Sequence, residues 1–194
     1  MNEGDIMAED NKNVEVPTLE SHHYFLLCKE IDMTSAEEVV KFILERNLMV
    51  EDRPSEIRLI LNSPGGETQS SFAITDVIEA SSIPIWTYGL GNLQSAALAI
   101  FIAGEKKHRY ITKNTSILSH QFSWGTVGKE HELVAARREI DLTTNRIYEH
   151  YKKYTKQPQK IIKEVLLPPE DVWLSAKEAI KYGCADVIMN SIVP

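Results

Sequence analysis

Glu56-Ile57-Arg58-Leu59-Ile60-Leu61-Asn62-Ser63-Pro64-Gly65-Gly66 reads as a strand running into a tight turn. Ile57, Leu59, Ile60 and Leu61 form a nearly continuous apolar run, which marks a buried strand. Pro64-Gly65-Gly66 stops it, and the spacing of Ala73, Ile74, Val77 and Ile78 predicts a helix beyond the turn. The same order then recurs. Ile83 to Tyr88 reads as a strand, Gly89 and Gly91 break it, and Ser95 to Ala103 is the next helix. Arg109-Tyr110-Ile111 and Ser116-Ile117-Leu118 read as further strands. Strand and helix alternating at this spacing imply βαβ units and an α/β fold with a largely parallel sheet.

Upstream, Tyr24 to Cys28 reads as a first short strand. Thr34 and Glu37 have the spacing of a capping box, opening a helix through Val39, Phe42 and Ile43 that ends near Asn47. Downstream, Gly128 to about Lys153 holds few breakers, and its apolar residues are spaced for a long helix, part of which projects from the body. Pro158 starts a shorter helix and Pro168-Pro169 ends it. Ser175 and Glu178 form a second capping box for a helix to Tyr182, which Gly183 terminates before a strand at Ala185 to Met189. No repeat of fixed period and no low-complexity tract interrupts this order.

The chain of 194 residues is long enough for one domain with a proper core and no disulfide staples. Residues 1–20 are acidic, contain one lysine and lack apolar periodicity, so they read as a mobile segment ahead of a domain spanning 21–194. They carry no secretory or transit-peptide pattern, which points to the cytoplasm. The longest apolar run, Ser95 to Gly104, is too short to span a membrane. A net charge of -7 with dispersed Lys and Arg argues against a nucleic-acid partner. Cys28 and Cys184 lie in no metal-ligand spacing and read as buried thiols in a reducing compartment. Neither a metal nor another cofactor is expected.

Gly91-Asn92-Leu93-Gln94-Ser95-Ala96 heads the second apolar helix and places Ser95 where a helix begins. Acyl transfer needs an activated oxygen nucleophile together with oriented donors for an oxyanion. Ser95 at the positive end of a helix supplies the first, and the N–H groups of Gly66 and Ala96 make a two-donor oxyanion hole. His120, just past a strand, is the candidate base. Asp171 is the candidate acid that orients it. Taken singly, Ser95 is also a plain N-cap, His120 a structural histidine, Asp171 a solvated loop acid and Gly66 a turn residue. His22, His23, His108, His131 and His150 have no competing claim. The order Ser, His, Asp differs from that of the α/β-hydrolases, and no G-x-S-x-G surrounds Ser95.

These residues resemble the proteolytic subunits of the Clp protease. The matching pieces are Asn62 to Gly66, Gly91 with Ser95, His120-Gln121, Arg138-Glu139-Ile140, Asp171-Val172-Trp173-Leu174-Ser175-Ala176, Glu178-Ala179 and Tyr182-Gly183. The resemblance covers about residues 55–189. It implies the ClpP/crotonase fold of repeated β-β-α units with a projecting handle helix. It also implies a serine endopeptidase that cleaves unfolded polypeptides inside an oligomeric chamber, with Ser95 as nucleophile, His120 as base, Asp171 as orienting acid and Gly66 and Ala96 as oxyanion donors. The implied assembly is a heptameric ring, usually two rings stacked, fed by an AAA+ unfoldase. The chain departs from the family at Leu93, Gln94 and Ala96 around the serine, at Phe122-Ser123-Trp124-Gly125, and at Glu170, where an arginine is usual. Arg58 and Ile60 replace aromatic residues usual in the unfoldase-docking pocket, so weak docking is expected. The alternatives are a non-catalytic ring subunit, or another enzyme of the fold such as a signal-peptide peptidase or an acyl-CoA enzyme. The three candidate triad residues argue against each.

Overall fold

A computed structural model describes residues 17–191. Its centre is β2 (Ile57–Ser63), flanked in parallel by β1 (Tyr24–Leu27) and β3 (Ile85–Gln94). The sheet continues with β4 (Arg109–Ile111) and β7 (Val187–Ile188), giving the order β1-β2-β3-β4-β7. Side chains on β2 alternate between two apolar layers. Ile57, Leu59 and Leu61 join the main core, while Ile60 points to a small cluster with Tyr24 and Tyr88 on the other face. That second layer explains why the strand reads as apolar throughout.

The main core is closed by α1 (Met33–Leu48), α2 (Thr68–Ala80) and α3 (Ala96–Ile102). Val39, Phe42 and Ile43 from α1, Ile74 and Ile78 from α2, and Leu98, Phe101 and Ile102 from α3 meet there. The cap of α1 falls two residues earlier than Thr34. Asp32 Oδ1 accepts from the Ser35 N–H at 2.7 Å, and Ser35 Oγ accepts from the Asp32 N–H at 2.9 Å. Asp32 wins because its carboxylate suits the positive helix end, and serine can answer reciprocally where glutamate was expected.

Gly89 and Gly91 do not break the strand. β3 runs through both, but its register against β2 slips between Leu61 and Ser63, whose partners are Gly89 and Leu93. The slip lets one strand serve two neighbours, with Thr87–Gly89 on β4 and Asn92–Gln94 on β5 (Ser116–Ser119). The Asn62 carboxamide pins the slipped segment by accepting from the Asn92 N–H at 2.9 Å.

The long helix is α4 (Glu130–Thr155). Its second half lies on the body through Thr143, Tyr151 and Thr155, whereas Leu133 and Val134 in its first half are exposed, Val134 at 67%. This is the expected projection. Gln159–Ile161 forms α5 with Pro158 as N-cap, and a π-turn over Ile162–Leu166 follows it. The Ser175–Glu178 capping box opens α6 (Ala176–Lys181) as expected, with Gly183 at φ 74° beyond its end. The last strand is shorter than Ala185 to Met189. One strand went unforeseen, the three-residue β6 (Val172–Leu174), antiparallel to β5.

Residues 1–16 of the segment expected to be mobile lie outside the described residues, and Glu20 opens a 3-10 turn to His22. Cys184 is buried as expected, and burial pushes its thiol up to about 12. Cys28 is exposed instead, because it follows the last residue of β1 that points into the core.

Candidate active site

The three residues singled out from separate parts of the chain meet at the end of β5. Ser95 joins β3 to α3 at φ 53° and ψ -122°, outside the regions a non-glycine residue ordinarily occupies. Such a conformation costs about 1–3 kcal/mol and is held by its surroundings. The Ser95 N–H donates to the Leu118 carbonyl at 2.9 Å, and the Ser95 carbonyl accepts from Leu98 and Ala99 in the first turn of α3. A sharp strand-to-helix turn thereby lifts Oγ out of the sheet.

His120 follows β5 directly. Its Nε2 lies 2.7 Å from Ser95 Oγ and its Nδ1 lies 3.2 Å from Asp171 Oδ1. The short antiparallel ladder explains the second contact. Ser119 pairs with Val172, so the next residue on β5 stands beside the one preceding β6, which is Asp171. With a carboxylate at Nδ1, that nitrogen carries the proton and Nε2 is free to accept from the serine hydroxyl. His120 is 23% exposed and Asp171 is 63% exposed, so the carboxylate meets the ring at the rim of the site.

The floor beneath His120 is braced by residues that sequence reasoning did not select. Ser119 Oγ donates to the Leu166 carbonyl at 2.5 Å and meets the Tyr151 hydroxyl at 3.0 Å. Gln121 Nε2 donates to the Leu167 carbonyl at 3.0 Å. Burial raises the Tyr151 phenol well above its ordinary range, so it stays protonated. Only the His120-Gln121 pair hinted at this bracing in the sequence.

Gly65 lies against the head of α3, and Gly66 beside it packs on Ile31. A Cβ on Gly65 would come within 2.7 Å of Ser95 Cβ and 3.1 Å of the Ala96 nitrogen. Gly66, at φ 148°, forms a bridge with Ile31, whose carbonyl would stand 2.1 Å from an added Cβ. Neither position tolerates a side chain without moving the turn. Among the described residues the N–H groups of Gly66 and Ala96 donate to no protein acceptor. The Ala96 N–H, directly after Ser95, is therefore available to a ligand there. A cavity of about 40 Å³ adjoins Ser95 and His120 between α2, α3 and α4.

A family profile described as Clp protease matches residues 9–192. Among curated relatives, the chain is 38% identical over 138 residues to "ATP-dependent Clp protease proteolytic subunit 3" of Rhizobium meliloti (strain 1021), covering 71% of this chain and 69% of the relative. It is 30% identical over 193 residues to "ATP-dependent Clp protease proteolytic subunit 1" of Chlamydia muridarum (strain MoPn / Nigg), covering 98% of each. A subunit 2 of that protease from Pseudomonas aeruginosa is 32% identical over 162 residues, 83% of this chain and 78% of the relative. The chain belongs to the Clp protease family. It is a serine-type peptidase with the ClpP fold.

Proposed function

We propose that Ser95, His120 and Asp171 are the catalytic triad and that Gly66 and Ala96 supply the oxyanion hole. The 2.7 Å contact between His120 Nε2 and Ser95 Oγ carries this reading. As Ser95 Oγ attacks the peptide carbonyl carbon, Nε2 takes the hydroxyl proton, and the carbonyl oxygen becomes an oxyanion that accepts from the two backbone N–H groups. Collapse breaks the C–N bond while His120 gives its proton to the leaving amine, leaving an ester on Ser95. Water then repeats the sequence with His120 again as base, releasing the acid. Asp171 holds the imidazole and stabilises the imidazolium throughout.

Every proton in this cycle moves between protein, substrate and water, so the peptidase needs neither a metal nor another cofactor. Intact-mass analysis after fluorophosphonate treatment, in EDTA and without ATP, is expected to show one adduct per chain, located at Ser95. Labelling at another serine, or none, overturns the assignment.

The chain is proposed to work in the cytoplasm as a domain spanning residues 21–194, with 1–20 as an acidic leading segment. No helix among the described residues is long and apolar enough to cross a membrane. We propose further that the protein cleaves unfolded polypeptides inside a heptameric ring, one or two rings deep, to which the exposed half of α4 contributes contacts. A chain of this length has a radius of gyration of about 16 Å and cannot enclose a polypeptide alone. Sedimentation velocity at micromolar concentration is expected to give a species of seven or more subunits, and a monomer or dimer overturns the chamber.

The relatives' names include "ATP-dependent", and an ATP-driven unfoldase is the proposed source of substrate. Its docking surface would be the aromatic shelf of Tyr24, Trp86, Tyr88 and Tyr110 around Ile60. There Arg58 lies over the rings of Tyr24 and Trp86 and pairs with Glu56 at 2.5 Å. An anchor displacing Arg58 from this arrangement must desolvate a charge, which favours weak docking.

A further inference from the structure

His120 stands just past the last paired position of β5. Pairing with β3 ends at Leu118 and pairing with β6 ends at Ser119, so the ladders stop short of the backbone that carries the base. Its two neighbours are held by side chains instead. Ser119 Oγ donates to the Leu166 carbonyl at 2.5 Å and Gln121 Nε2 donates to the Leu167 carbonyl at 3.0 Å, which ties the residues on either side of His120 to consecutive carbonyls. Those carbonyls end the π-turn, which the Leu167 N–H closes by donating to the Ile162 carbonyl at 2.7 Å. Side chains alternate along extended backbone, so both neighbours reach the turn while His120 reaches Ser95 from the other side.

We propose that Ser119 and Tyr151 are positioning residues for His120, joined in a buried hydroxyl chain that ties β5, α4 and the π-turn together and holds the imidazole at Ser95. This rests on Ser95 and His120 as nucleophile and base. The direction of the chain follows from its donors. A carbonyl only accepts, so the single proton of Ser119 Oγ goes to Leu166, and the Tyr151 hydroxyl, 3.0 Å away, donates to Ser119. Burial raises the Tyr151 phenol, which therefore keeps its proton for this bond. Each hydroxyl then donates once, and the linked groups polarise one another in the same sense.

Packing alone does not call for this arrangement. Ser119, Tyr151 and Leu166 are all buried, and an apolar pair at 119 and 151 would fill the space without desolvating two hydroxyls. What the hydrogen bonds add is a fixed distance and angle, which dispersion does not impose. A base that accepts from Ser95 Oγ needs that placement, because a misplacement of about 1 Å costs about a hundredfold in rate. Asp171 supplies less of it. Its carboxylate is 63% exposed and meets the ring where water competes, whereas the hydroxyl chain is shielded from water throughout.

The test is kcat and KM for a short fluorogenic peptide, measured on the full chain, on His120→Ala, Ser119→Ala and Tyr151→Phe, and on the double variant Ser119→Ala with Tyr151→Phe. Rates are taken per folded chain, the folded fraction being read from near-UV circular dichroism. Ser119→Ala is expected to lower kcat by about ten- to a hundredfold and to leave KM within about threefold of wild type. Tyr151→Phe keeps the ring and loses only the hydroxyl, so a fall of about threefold or more in kcat is expected. Adding it to Ser119→Ala should change kcat no further, because Tyr151 acts through Ser119. A Ser119→Ala protein that is less stable yet keeps wild-type kcat shows that the hydroxyl only satisfies a buried carbonyl, and overturns the proposal. So does a loss carried by KM, or a double variant in which the two losses multiply. Where Ser119→Ala does not fold, Tyr151→Phe decides, and wild-type kcat in it overturns the proposal. His120→Ala separates the two readings. Wild-type kcat in that variant overturns the triad itself, whereas its loss beside an unchanged Ser119→Ala overturns the positioning role alone.

Discussion

Ser95→Ala is expected to lower peptide turnover by about 10^4 or more while leaving fold and assembly intact. The substitution removes one oxygen from a half-exposed position and fills no cavity, so little packing changes. His120→Ala is expected to fall about as far, and the double variant little further, because the two residues act as one unit through their 2.7 Å contact. The residual activity over water is expected to come from the proposed oxyanion donors, which neither substitution touches. Asp171→Ala should cost less than either, since its carboxylate reaches the imidazole from an exposed position where water can replace it. Single-turnover cleavage of a short fluorogenic peptide measures all four variants. Ser95→Ala retaining a tenth or more of wild-type turnover would sink the nucleophile assignment, and additive losses in the double variant would sink the idea of a coupled pair.

Much of the geometry of this candidate site was legible because its residues sit at element boundaries that punctuation residues announce. Pro64-Gly65-Gly66 ended one strand, and the apolar run from Ala96 fixed the start of a helix, so Ser95 had to stand at its head. What brings Asp171 to His120 was not legible. That contact depends on the three-residue ladder between β5 and β6, too short to show a period and preceded by two prolines that read as loop. The passage of β3 through Gly89 and Gly91 was misread for a related reason. Glycine signals a break locally, and only the change of neighbour from β4 to β5 makes a slipped but continuous strand the better solution. His150 was set aside because its position matters only once α2, α3 and α4 are packed together. At the level of the chain it is a polar residue between Ile147 and Tyr151 on an amphipathic helix, and nothing in that pattern points to a cavity shared with Ser95.

The other large effect expected is on stability, at a charge pair the sequence did not mark. Arg109, at the start of β4, is 1% exposed and donates to Asp186 from Nε at 2.8 Å and from Nη2 at 2.7 Å. Its Nη1 reaches the carbonyls of Ile102 and Tyr154, at the ends of α3 and α4. Asp186 also accepts from the Lys107 N–H at 2.8 Å and from Lys106 Nζ at 3.0 Å. The pair thus ties two helix ends to the sheet edge where β4 meets β7. Removing the acid leaves a buried guanidinium without its counter-charge, and breaking a buried pair in this way typically costs about 3–5 kcal/mol. Asp186→Ala is therefore expected to lower unfolding stability by about that amount, read from urea or thermal midpoints at fixed protein concentration. Replacing both partners together, Arg109→Met with Asp186→Leu, should recover much of the loss, since no unpaired charge then remains. The pH dependence has a definite sign. Burial alone would raise the Asp186 carboxyl, but the hydrogen bonds and charge of Arg109, with Lys106, outweigh it and hold the value at about 2, below the 3.8 of a free aspartate. A depressed carboxyl contributes stability above its unfolded value and loses it as pH falls through the folded value. The stability gap between wild type and Asp186→Asn should accordingly be full at pH 5 and shrink as pH falls from about 4 to about 2. A gap that stays constant across that range would show that the carboxylate charge is not what holds Arg109 in place.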